Sequence, residues 1–203
     1  MVSALSHPLS LFPNEAALIG SLVIGYGGIE YDLATCVEAV LGDGEPSRGF
    51  KAMYCSKGED GRLKLADVLC RSSFAERDLG DAFSETLDGV RHCKKIRNQY
   101  AHSNWTTAKA AVGEMHDWSE GGLRLVLLEE SAQRAGPMIF ELRTITAELL
   151  NEQDVYFRNV RDWLIYLNVA YRAGGASSGR GLRPQRPEKP VCYLLPDQAP
   201  TPA

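Results

Sequence analysis

Residues 144–172 place Ile145, Leu149, Tyr156, Val160, Trp163, Leu164, Leu167 and Tyr171 along one side of a helical projection, close to a heptad row. A helix of that length must bury such a stripe, inside a bundle, along a dimer seam, or both. Two further long patterns offer it neighbours. From Asn14, a suitable N-cap, to about Leu41, the apolar positions Leu18, Leu22, Ile29, Leu33, Cys36 and Val40 share one stripe, which Gly42 and Gly44 end. From about Leu79, capped by Asp78, to His102, the row Leu79, Phe83, Leu87, Val90 and Ala101 recurs at helical spacing, and Arg97 falls in its middle. Shorter helices are predicted around 47–56 and 63–77, separated by a Gly58–Gly61 turn. The predicted fold is mainly α, a bundle of four to five helices.

The period changes after His102. Alternating residues up to Leu128, preceded by Gly121 and Gly122, predict a small β-hairpin insertion, roughly 109–117 with 122–130, and Met138–Leu142 suits a short strand. Residues 1–13 hold Pro8 and Pro13 and read as a flexible lead-in. Beyond Gly174 the chain turns to Gly, Ser, Pro and Arg, too little apolar surface to offset ordering entropy, so 174–203 is predicted to be a disordered tail. One domain, 14–173, remains, which its length can supply with a core.

The 203 residues are 44% hydrophobic and 24% charged, with a net charge of -4. That balance excludes a chain coated with cations for wholesale nucleic-acid binding, but leaves room for a local basic site. The tail carries Arg180, Arg183, Arg186 and Lys189 against Glu188 and Asp197, so the rest is more acidic than the whole. Five cysteines, Cys36, Cys55, Cys70, Cys93 and Cys192, are odd in number and contain no C-x2-C, which points to free thiols in a reducing cytosol. Residues 18–29 are apolar but too short for a membrane span and lack a preceding basic region, so a cytoplasmic protein without membrane attachment is expected. His116 and Asp117 lack a third ligand, and no metal or cofactor is expected. The glycines Gly25, Gly27 and Gly28 do not follow the order of a nucleotide loop, and close helix packing is their expected role.

Chemistry concentrates in Arg97-Asn98-Gln99-Tyr100-Ala101-His102 and the nearby Trp105. Arginine clamps a phosphate through parallel charge-assisted hydrogen bonds, and histidine moves protons near neutral pH. Arg91, Lys95, Asn98 and His102 line one shoulder of the helix, with Lys94 beside them, a cationic edge suited to a phosphodiester backbone. Trp105 reads as a core anchor or a base-stacking platform. Residues five apart on a continuous helix point about 140° away from each other. Arg97 and His102 therefore share one substrate only if the helix ends near Tyr100, if Arg97 curls round, or if a second copy supplies the other half.

Arg97, polar Asn98, three more residues and His102 resemble the R-(N/D/H)-x3-H signature of HEPN domains, placed, as there, near the end of a long helix. The resemblance implies a metal-independent endoribonuclease of toxin or antiviral type, built as a homodimer with RNA as substrate and a protein partner or inhibitor. It assigns phosphate positioning to Arg97, acid–base work on the ribose 2′-hydroxyl or leaving oxygen to His102, and orientation of the site to Asn98. Tyr100 and Glu30 are supporting candidates, and Arg91, Lys94, Lys95 and Trp105 are RNA-binding candidates. The alternative is a non-catalytic helical dimerisation or binding module of the same fold, in which Arg97 holds a structural ion pair with an acid such as Glu30. A third reading gives RNA affinity to the Arg-rich tail.

Overall fold

The computed structural model describes residues 8–42, 47–102, 104–107, 125–130, 140–176, 183–186 and 188–194. Among them the chain is mainly helical: α1 (Pro13–Leu41), α2 (Arg48–Cys55), α3 (Gly58–Ala75), α4 (Gly80–His102) and α5 (Ala147–Arg172), with β1 (Asn104–Thr107), β2 (Leu125–Glu130) and β3 (Phe140–Ile145) between α4 and α5. The predicted helical bundle with a β insertion is therefore what the chain forms.

Several boundaries differ from expectation for local reasons. α1 begins at Pro13 rather than after an Asn14 cap, because proline at the first helical position has a preset φ and no N–H to orphan. Gly58–Gly61 is not a turn but the first turn of α3, where Glu59 and Asp60 complement the helix dipole. Asp78 has a φ of 58° and does not cap α4. Leu79 precedes that helix instead, its carbonyl accepting from Phe83 N at 2.9 Å. α5 starts later than predicted because β3 runs on to Ile145, and Thr146 Oγ1 then caps it by accepting from Leu149 N at 3.2 Å. It ends in a Schellman turn, with Gly175 N on Ala170 O and Gly174 N on Tyr171 O, and Gly174 in the left-handed region at φ 100°.

The three strands form an antiparallel sheet in the order β1-β2-β3, with Trp105 opposite Leu127 and Leu125 opposite Ile145. Its second strand lies within the predicted 122–130. Its first starts directly after α4, earlier than the predicted 109–117, a span outside the described residues. Pro8–Leu11, within the expected flexible lead-in, is a 3-10 turn against β1.

Contacts gather the chain into two compact bodies, one from Met1–Val23, Ile96–Asp154 and Pro190–Ala203, the other from Ile24–Lys95 and Val155–Lys189. Among its described residues the second is mainly helical, joined by the non-helical residues 183–186, 188 and 189. Phe74 stacks on Phe83 with ring centroids 4.8 Å apart and meets Tyr171 at 4.9 Å. Leu33, Val90, Leu164 and Leu167 are buried in the same body. The predicted α5 stripe is thus consumed inside the chain, from Tyr156 to Tyr171. Of the α1 glycines, only Gly28 answers to packing: a Cβ there would sit 3.1 Å from the Arg161 guanidinium carbon, whose group pairs with buried Asp32. Gly25 and Gly27 face open space. The first body contains the sheet, and Leu22, Ile96, Tyr100 and Leu150 are buried in it.

The tail also departs from expectation where it is described. Residues 183–186 and 188–194 belong to no helix and make specific contacts, and Leu194 exchanges two backbone hydrogen bonds with Thr144 on the β3 edge. The rest of 174–203 beyond Ala176 lies outside the described residues.

Candidate functional site

The buried row of α4 steps through Phe83, Leu87, Val90, Cys93, Ile96 and Tyr100. Spacings of three and four carry this row onto Ile96 and leave Arg97 on its shoulder, half-buried. The expected row through Arg97 and Ala101 is therefore corrected: Ala101 is exposed and Ile96 holds the apolar position. Arg97 is engaged within the chain rather than a free cation.

α4 runs unbroken to His102, so the expected early end near Tyr100 does not occur. Arg97 and His102 keep the divergence of about 140° that five helical residues impose. His102 is exposed and has no hydrogen-bond or ion-pair partner among the described residues. Asn98 is half-buried, and its Oδ1 accepts no hydrogen bond among the described residues despite being sealed from solvent.

Tyr100 turns away from this chemistry. Its hydroxyl donates to Gln153 Oε1 at 2.5 Å, and burial pushes its pKa up. Gln153, fully buried, donates in turn through Nε2 to the carbonyls of Val191 at 2.8 Å and Cys192 at 3.1 Å. Gln99 Nε2 donates to the Cys192 carbonyl as well, at 3.0 Å. Trp105 stacks on the Tyr100 ring at 5.9 Å with 26° between planes, which anchors it to the core of its body. Sequence reasoning missed Gln99 and Gln153. The only signal was a glutamine, Gln153, between apolar residues of a helical stripe.

The remaining candidates belong to the helical body. Lys94 Nζ pairs with Asp60 Oδ1 at 2.5 Å, and that hydrogen bond pulls the Asp60 carboxyl below its ordinary range. Arg91 meets Asp67 at 3.3 Å, and Asp67 is shared with Arg71 at 2.6 Å. α3 thus lays carboxylates along the edge that sequence alone reads as cationic. Lys95 is exposed and has no partner among the described residues. Glu30 takes Arg62 as its partner, with Nη2 at 2.8 Å and Nε at 2.9 Å from the same oxygen. The structure brings together Arg97, Asn98 and His102 on the last turns of α4, and Tyr100 with Trp105 beside them.

Cys36, Cys70, Cys93 and Cys192 are buried free thiols, and Cys55 is exposed. Burial pushes the Cys70 thiol up to about 12, a poor nucleophile at neutral pH. Among the described residues no three His, Cys, Asp or Glu side chains gather as a metal site would need, and no helix is long and apolar enough to cross a membrane. No family model matches the chain, and neither a curated protein nor a solved structure matches it.

Proposed function

We propose that this chain is a HEPN-like, metal-independent endoribonuclease of the cytoplasm, of toxin or antiviral type, that cleaves RNA as a homodimer. The observation that carries the reading is the last turns of α4, where half-buried Arg97 and exposed His102 diverge on one continuous helix. One chain offers a phosphate clamp and a proton shuttle to different directions, and a second copy supplies what each lacks. His102 takes the 2′-hydroxyl proton as that oxygen attacks phosphorus, and Arg97 stabilises the charge on the phosphoryl oxygens. The bond to the 5′-oxygen breaks and that oxygen takes a proton from water, the imidazolium later releasing its own to solvent. A 2′,3′-cyclic phosphate and a 5′-hydroxyl result. Asn98, beside Arg97 on α4, orients the site.

The test is cleavage of structured and unstructured RNA by the purified chain, with and without EDTA. Arg97→Ala and His102→Ala should each lower the rate by about 10²-fold or more. Mixing the two inactive variants should restore activity, because one of the two sites in a mixed dimer is intact. Cleavage that survives His102→Ala, or that EDTA abolishes, overturns the mechanism.

A second reading, a non-catalytic helical binding module, is favoured by the Lys94–Asp60 and Arg91–Asp67 pairs, which neutralise much of the cationic edge. It predicts no RNA turnover under any of these conditions.

A further inference from the structure

Residues 183–190 read Arg-Pro-Gln-Arg-Pro-Glu-Lys-Pro, a period of three in which each cation, Arg183, Arg186 and Lys189, precedes a proline. A polyproline II helix has three residues per turn, so this spacing sets all three cations on one face. The structure shows what that face meets. Arg183 and Arg186 lie over the Trp163 ring, 5.5 and 4.1 Å from its centroid. Arg186 Nη1 pairs with Glu85 at 2.5 Å, and Lys189 pairs with Asp88. Trp163 Nε1 donates to the Gln185 carbonyl at 3.2 Å, so the indole reads the backbone between two cations.

Glu85 and Asp88 stand one turn apart on α4, and Trp163 faces them from α5. Between the helices Gly89 lets them come close, since a Cβ there would sit 3.1 Å from Val160 and 3.3 Å from the Tyr156 hydroxyl. A cavity of about 230 Å³ remains under the segment, floored by Gly89, Tyr156 and Val160. An aromatic floor with two carboxylates at its rim is the chemistry that selects an extended peptide with regularly spaced cations. The segment's prolines carry no N–H, so it sacrifices few backbone donors by lying there.

We propose that the α4–α5 groove is a recognition site for an extended, proline-spaced basic peptide. Residues 183–186, 188 and 189 occupy it as a tethered ligand, which a segment of the same chemistry from another protein displaces. Both ion pairs are substantially exposed, with side-chain exposures of 34% and 58% for Arg186–Glu85 and 47% and 57% for Lys189–Asp88. Pairs of that kind hold weakly and are screened by salt, so the segment exchanges readily. The inference is independent of any RNA cleavage.

The probe is a fluorescent peptide spanning residues 183–191, titrated by anisotropy into the full-length chain. Arg186→Glu with Lys189→Glu releases the tethered segment, and the released chain should bind the peptide at least about tenfold more tightly than the intact one. Adding Glu85→Lys and Asp88→Lys should remove that binding, and a peptide with its three cations changed to Gln should not bind. Lys189→Gln alone serves as the milder release if the double reversal disturbs folding, and should give an intermediate affinity. A released chain that ignores the peptide, that binds no better than the intact chain, or that still binds with Glu85 and Asp88 reversed overturns the proposal.

Discussion

Up to Lys95, the polar side of α4 is held by charge: Glu85, Asp88, Arg91 and Lys94 each meet an opposite charge on α3 or on the 183–189 segment. Beyond Ile96 a neutral network runs from Tyr100 through Gln153 to the carbonyls of residues 191 and 192. The charged pairs lie in or near solvent, where water competes for each partner and salt screens them. The neutral network is sealed, and a buried polar group left without a partner keeps its full desolvation cost. One helix therefore carries a stretch held by a sealed neutral network at Gln99 and Tyr100 and a stretch held by exposed charge pairs.

Removing the centre of the neutral network should have the largest effect on stability. Gln153→Leu leaves the Tyr100 hydroxyl and the Val191 carbonyl short of partners, while Gln99 still serves the Cys192 carbonyl, and should destabilise by about 2–4 kcal/mol, read from urea unfolding. A loss below about 1 kcal/mol would mean that solvent reaches these groups and that the contrast with the charged stretch is false. Asp32 tests the middle ground. Its carboxylate is 10% exposed but its partner Arg161 is 44% exposed, at 2.8 Å. Loss of one partner from a sealed pair costs about 3–5 kcal/mol. Screening at the open guanidinium should bring Asp32→Ala down to about 1–2 kcal/mol in the same measurement.

What the sequence made legible follows the range of each interaction. α1, α4 and α5 are written in apolar spacing, which is local, and their extents came within a few residues. Arg97 falls beside the buried row because Ala101, small and weakly apolar, marks that row poorly and it steps instead from Cys93 to Ile96 to Tyr100. The partner of Glu30 is 32 positions away on α3, and no local pattern encodes it. β1 is four residues long, too short for alternation to register. The Arg-Pro period was present in the tail but was hidden by composition, which classes any stretch rich in proline and arginine as unable to bury a core. Such a stretch needs no core of its own when charge and an indole on the helices supply its contacts.

The smallest expected effect is also the cleanest separation of the two stretches. Hydrogen bonding from Lys189, ahead of all other influences, holds the Asp88 carboxyl below its ordinary value. A carboxylate depressed by folding stabilises the chain above its unfolded value, near pH 4, and loses that contribution as pH falls through the folded value. Asp88→Asn should therefore cost less than about 1 kcal/mol near neutral pH, and the difference from wild type should shrink as pH falls below about 4. The Gln153→Leu deficit should stay constant over that range. Glutamine does not titrate, and burial pushes the Tyr100 hydroxyl still further from it. Parallel pH profiles for the two variants would erase the distinction between an exchangeable, charge-held stretch and a sealed, neutral one.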